Sequence, residues 1–170
     1  WVSTQPHPLF PFLLTLSFSF GVYFLSVRKI LQSGSENSSL LKLILIFSAL
    51  FHLTLLPTLP IIDDDIYRYV WDGRVLTGGI NPYHHSPESS VLTDFRDTKI
   101  YPRIGYKFIP TIYPPFAQVV FALSQYLPLG EFYSLKILLG LFNAASITFL
   151  ILLLSHLGYS PARVLIFAWN

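Results

Sequence analysis

The chain has 170 residues, with no cysteine, no methionine and only 12% charged side chains. Without cysteine there is neither a disulfide nor a thiolate metal site, and the redox compartment is left open. The missing methionine leads us to expect a piece of a longer protein, absent at both ends, because a complete translation product starts with one unless it is removed. A soluble domain carries about a quarter charged residues. Half that share, beside 52% hydrophobic residues, excludes water as the main solvent. The formal net charge of +2 is too small to argue for nucleic acid as a partner.

What the chain has instead is long uncharged runs, at 9–27, 43–62, 108–129 and 137–155. Each is close to the ~20 residues that cross ~30 Å of hydrocarbon as a helix. They predict four membrane spans, with a fifth beginning at 164–170 and cut by the end of the chain. The first run exceeds the ~7–15 apolar residues of a signal peptide and is expected to stay in the membrane. The expected fold is all-α: a polytopic transmembrane helix bundle in which residues 1–170 form part of one domain. The connections at 28–42, 130–136 and 156–163 read as plain helix connectors, marked by a Ser/Gly/Asn turn and by Ser160-Pro161.

The connection at 63–107 differs, holding seven of the nine acidic residues and six of the eleven Lys and Arg. Raw basic counts favour this loop inside, whereas per residue the short loops with Arg28, Lys29, Lys42 and Lys136 are the more basic. Cations held by acids or ligand in a folded loop say little about insertion, so the loop is expected outside. Within it, Ile66, Tyr69, Val70 and Leu76 recur at helical spacing before Gly78-Gly79. This predicts an amphipathic juxtamembrane helix with an acidic start and a glycine stop. Its other face carries Asp65, Arg68 and Asp72 at i, i+3 and i+7, close enough to meet. Tyr67, Tyr69 and Trp71 suit a helix at headgroup level, which sets the acidic cluster at the membrane surface.

Helix capping, worth ~1 kcal/mol, accounts for one or two of Asp63, Asp64 and Asp65. Three adjacent carboxylates repel one another, which argues for a further use. Arg68 and Asp72 read first as a structural ion pair. Further on, Ile80-Asn-Pro-Tyr-His-His85 and Lys99-Ile-Tyr-Pro-Arg-Ile-Gly-Tyr-Lys107 alternate aromatics with cations, a pattern suited to a phosphate at a lipid surface. The third predicted span opens with Tyr113-Pro-Pro-Phe116, where prolines are tolerated because first-turn N–H groups have no helical partner.

The blocks Asp64-Asp-Ile-Tyr-Arg-Tyr-Val-Trp-Asp-Gly-Arg74, Gly79-Ile-Asn-Pro-Tyr83 and Tyr113-Pro-Pro-Phe116, in this order, resemble the GT-C superfamily. These are integral-membrane glycosyltransferases that use polyprenyl-phosphate sugars; the likeness is especially to bacterial mannosyltransferase-like members, and the order of the blocks also looks like that of the eukaryotic dolichol-phosphate-mannose enzymes that build glycolipid anchors. The resemblance implies transfer of a hexose, mannose in the first instance, to a glycan, lipid or protein acceptor by inverting displacement, with 63–107 as an extracytoplasmic catalytic loop at a bacterial inner membrane. It makes Asp63, Asp64 and Asp65 the candidates for the general base, a role worth ~10²–10⁴-fold in rate. It makes Arg68, Asp72, Arg74, Asn81, Tyr83, Arg103, Lys107 and Tyr113 the candidates for substrate binding. Arg68, Arg74, Arg103 or Lys107 would stabilise the leaving phosphate. The expected partners are the lipid-linked donor, the acceptor and the bilayer. The chemistry requires no cofactor, while the carboxylate cluster offers the oxygen ligands that Mg²⁺ or Mn²⁺ takes. One departure is topological, since superfamily members commonly place this loop after their first span and here a further span precedes it. As a fragment, the chain is expected to be inactive alone.

Three rival classes fit less well. A transporter would carry charge inside its spans, and these hold only His52. A prenyl-diphosphate enzyme needs D-D-x-x-D, whose fifth position here is Tyr67 or Arg68. A noncatalytic membrane scaffold leaves the acidic cluster without a use.

Overall fold

A computed structural model describes residues 9–32, 38–58 and 64–169. Among these residues the fold is all-helical, with no strand. Its α-helices are α1 (Leu9–Gln32), α2 (Ser38–Leu55), α3 (Asp65–Thr77), α4 (Pro115–Gln125), α5 (Glu131–His156) and α6 (Leu165–Ala168). α1, α2 and α5 are long and apolar enough to cross a membrane, which marks a membrane protein. α2 stops at Leu55, short of the predicted 62, because Pro57 and Pro60 follow.

The predicted span at 108–129 is corrected. Its helix is only Pro115–Gln125, 11 residues rising ~16 Å, about half the hydrocarbon thickness. The run is apolar but punctuated: Pro110, Pro114 and Pro115 keep the chain extended up to α4, and Pro128 with Gly130 ends it. At the fifth predicted span the described residues form a 3₁₀ turn, Pro161–Val164, and the four-residue α6. Asn170 lies outside the described residues.

The chain divides into two compact units. One comprises residues 1–51 and 145–170, where Ile30, Ile44, Ile147, Val164 and Leu165 form a small core. It is pinned by side-chain bonds to α6 and its flanks: Tyr23 donates to the Ile166 carbonyl at 2.8 Å, Ser48 to Ala168 at 3.0 Å, and the Trp169 indole to Ile44 at 3.0 Å.

The other unit, residues 52–144, is built around α3. Tyr67, Val70, Trp71 and Val75 of α3 pack with Leu92, Ile100, Ile104, Phe121 and Leu135. Gly73 permits the closest approach, since a Cβ there would stand 2.4 Å from the Phe121 carbonyl oxygen of α4. The glycine stop is found as expected: Gly78 closes α3 with its N–H on the Arg74 carbonyl at 2.9 Å, and Gly79 turns the chain away at φ +81°. α3 is more enclosed by protein than an amphipathic helix lying on a surface would be. Trp71 and Tyr67 are 1% and 3% exposed, and the polar face with Arg68 and Asp72 is buried too. The loop wraps α3 on one side and α4 seals it on the other, so the helix is a core element rather than a surface one.

Lys136 of α5 ties the end of α2 into this unit. Its ammonium donates to the carbonyls of Leu55 at 3.1 Å, Leu56 at 3.3 Å and Thr58, at and just beyond the end of the helix, where a cation favours the dipole.

Candidate functional site

The first turn of α3 carries the acidic patch. Asp64 occupies the N-cap with φ −94° and ψ 8°, yet its side chain makes no capping hydrogen bond. Its backbone carbonyl accepts the Tyr67 N–H at 3.0 Å. Capping therefore does not account for the Asp64 carboxylate. Asp65, the first residue of α3, is exposed like Asp64. Asp63 lies outside the described residues.

Tyr113 brings the three separated sequence blocks together. Its hydroxyl lies close enough to Asp65 and Tyr69 to feel both electrostatically. Its ring stands edge-on to Tyr69 at 4.9 Å and to Phe121 at 5.8 Å, and its backbone carbonyl accepts the Tyr83 hydroxyl. Tyr83 is delivered by an Asx turn, in which the Asn81 side-chain oxygen accepts the Tyr83 N–H at 2.9 Å. The Pro82 carbonyl accepts the Thr111 N–H at 3.1 Å, docking the turn beside the segment that carries Tyr113. Burial, the Asp65 carboxylate and Tyr69 push the Tyr113 phenol above its ordinary range. The raised phenol keeps its proton at neutral pH beside the Asp65 carboxylate.

The other candidates are held by internal partners. Arg68 Nε donates to Asp72 Oδ1 at 2.9 Å, and Arg68 Nη2 to the Ile109 carbonyl at 3.1 Å. The second oxygen of Asp72 accepts Gln118 Nε2 at 3.1 Å, and the same amide donates to Thr111 Oγ1 at 2.7 Å. With side chains 8% and 2% exposed, Arg68 and Asp72 are the structural pair of the first reading and present no charge to open surface. Arg74 is clasped between Asp97 and Glu131, with its Nε on Glu131 at 2.8 Å. Burial works against its charge, but the two carboxylates outweigh burial and raise Arg74 above its ordinary value.

Arg103 donates to the Tyr67 hydroxyl and lies over that ring at 5.2 Å, while the residue remains exposed. Lys107 donates to the Pro102 carbonyl at 3.2 Å and stands 5.5 Å from the Tyr101 ring centroid. Among the described residues no three His, Asp or Glu converge as a metal-holding group.

Sequence reasoning missed Gln118, Thr111, Tyr69 and Glu131. The signal for Gln118 was a lone amide in an otherwise apolar run. Nothing in the spacing linked Glu131 to Arg74, 57 residues apart.

Compared with protein-family models, curated proteins and solved structures, the chain finds no match.

Proposed function

We propose that this is a multi-pass membrane glycosyltransferase that moves a hexose, mannose in the first instance, from a polyprenyl-phosphate sugar to a glycan, lipid or protein acceptor. The observation that carries the reading is the meeting of Asp65, Tyr83 and Tyr113, one residue from each block that resembles the GT-C superfamily. In this reading Asp65 is the general base. It takes the acceptor hydroxyl proton as that oxygen bonds to the anomeric carbon from the face opposite the phosphate. The bond from the anomeric carbon to the phosphate oxygen breaks, and polyprenyl phosphate leaves with the electron pair. Tyr113 stands beside the carboxylate with its phenol protonated.

The cation for the departing phosphate is Arg103, exposed beside Tyr67, with Lys107 as its neighbour in the loop. Arg68 and Arg74 are committed to internal carboxylates and act through the fold. The loop faces the exterior or periplasm of a bacterial inner membrane, where lipid-linked sugars present their headgroups.

The test uses the protein in membranes, offered labelled polyprenyl-phosphate hexoses, with release of polyprenyl phosphate as the readout. We expect Asp65→Asn to cut release by ~10²–10⁴-fold at unchanged expression, the contribution of a general base, and Asp64→Asn to cut it far less. Normal release in both variants would sink the assignment of these aspartates. A noncatalytic scaffold is favoured by one observation, the commitment of Arg68 and Arg74 to internal partners. Its signature is no release from any donor by the unaltered protein.

A further inference from the structure

α4 is inside out relative to a helix facing water. Beside the buried Val120 and Phe121, its inward face carries the polar Gln118 and Ser124, 2% and 1% exposed, and its outward face carries Phe116, Val119 and Leu123, 69%, 49% and 49% exposed. The spacing i, i+3, i+7 makes these one stripe, and Ile112 before the helix and Tyr126 after it, 76% and 73% exposed, leave apolar surface at both ends.

A chain folding in water buries Phe and Ile and exposes Gln. Hydrocarbon selects the reverse order, because apolar side chains lose nothing by facing it while every polar group must find a partner inside the protein. The inward donors meet that demand: Gln118 Nε2 donates to Asp72 and Thr111, and the Ser124 hydroxyl donates to the Phe121 carbonyl at 2.7 Å, while Gln118 Oε1 is buried without a hydrogen-bond partner among the described residues.

We infer that the outer face of α4 is a lipid-contact surface, covered by the acyl chains of the bilayer, which α4 enters without crossing. The occupant follows from continuity. The Phe116 ring packs against Phe142 of α5 at 5.9 Å, and Phe142 is itself exposed on a helix apolar and long enough to span. The stripe therefore runs on from the outer face of α5. Tyr113 stands between Ile112 and Phe116, so the depth at which α4 seats bears on the depth of the Asp65 carboxylate beside the Tyr113 hydroxyl. The inference is independent of the glycosyl-transfer reading and holds whatever chemistry Asp65 performs.

The absence of cysteine makes the test direct. Single-cysteine variants Phe116→Cys, Val119→Cys and Leu123→Cys, with Val91→Cys and Asp94→Cys on exposed loop positions as the aqueous reference, are labelled with a polarity-sensitive fluorophore. The labelled protein is placed in phosphatidylcholine vesicles. Quenching by acyl-brominated phosphatidylcholine is compared with quenching by iodide in the buffer. We expect bromolipid quenching several-fold stronger at 116, 119 and 123 than at 91 and 94, and the opposite order with iodide. Iodide reaching the α4 positions as freely as the reference positions would overturn the inference. So would protection from both quenchers, which would mean that protein, a second copy or another segment, covers the stripe. Should Phe116→Cys disturb its contact with Phe142, the variants at 119 and 123 carry the same test.

Discussion

Asp65 and Asp72 share one face of α3, ~10 Å apart along its axis. Asp72 is 1% exposed, with both carboxylate oxygens hydrogen-bonded, one to Arg68 and the other to Gln118. Asp65 opens the helix at the surface, exposed beside the Tyr113 hydroxyl. Both are ordinary helical aspartates by sequence, and the tertiary fold separates them. A buried carboxylate is kept only if its charge is used inside the protein, because desolvation costs several kcal/mol per ion. An exposed one bears no such constraint, because water solvates its charge.

The contrast is broken most directly by its stability consequence. Asp72→Ala leaves the Arg68 guanidinium buried and uncompensated, and we expect a loss of ~3–5 kcal/mol. Asp65→Asn is expected to stay within ~0.5 kcal/mol of the unaltered protein, as surface changes do. Thermal unfolding of the two variants in the same detergent measures the difference. Equal losses would mean that Asp72 is not the structural charge its contacts indicate. Replacing Arg68 and Asp72 together by Met and Leu should recover most of the deficit, since an apolar pair of similar volume is often neutral.

The seam that seals Asp72 gives the next effect in size. Gly73→Ala drives a Cβ to 2.4 Å from the backbone oxygen of Phe121, which cannot swing aside as a side chain would. We expect ~1–3 kcal/mol of destabilisation, the cost of overpacking, as α4 and with it Gln118 are pushed off Asp72. Gly140 of α5 is the control, because a Cβ there meets nothing within 4 Å. Gly140→Ala should be neutral or slightly stabilising through better helix propensity. If both substitutions behave alike, close contact at Gly73 is not what joins α3 to α4.

These elements also show where the sequence was readable. α1, α2 and α5 were found because length and lack of charge suffice to detect an apolar helix, and that signal needs no knowledge of neighbours. The same criterion failed at 108–129, where composition was weighed and punctuation was not: Pro110, Pro114, Pro115 and Pro128 leave space for only a short helix. α3 was found, with its acidic start and glycine stop, but its surroundings were not. Burial of Arg68 and Asp72 depends on Gln118 and Thr111, which are separated from α3 by the whole loop. The Arg68–Asp72 pair was legible as an i, i+4 contact, whereas the approach of Tyr113 to Asp65 spans nearly fifty residues, and no periodicity encodes it.

Asp97 lies between the two extremes and gives the smallest effect. Its side chain is 31% exposed, so solvent screens part of its pairing with Arg74. One carboxylate oxygen also accepts the N–H groups of Lys99 at 3.0 Å, Ile100 at 2.6 Å and Tyr101 at 3.1 Å, which fixes the loop at the start of a 3₁₀ turn, Tyr101–Arg103. Burial works to raise its pKa, and Arg74 with the Ile100 and Tyr101 N–H groups outweighs burial, bringing it from the ordinary 3.8 down to about 2. A carboxylate whose pKa is lower folded than unfolded binds protons more readily in the unfolded chain, so stability rises with pH across the interval between the two values. The contribution of Asp97 is fully present above 3.8, declines as pH falls towards about 2, and is gone below that. Unfolding midpoints measured through this window should fall more gently with acidification in Asp97→Asn than in the unaltered protein, and the two should run parallel at higher pH. Parallel curves throughout the acid range would show that Asp97 is solvated and that Glu131 alone holds Arg74.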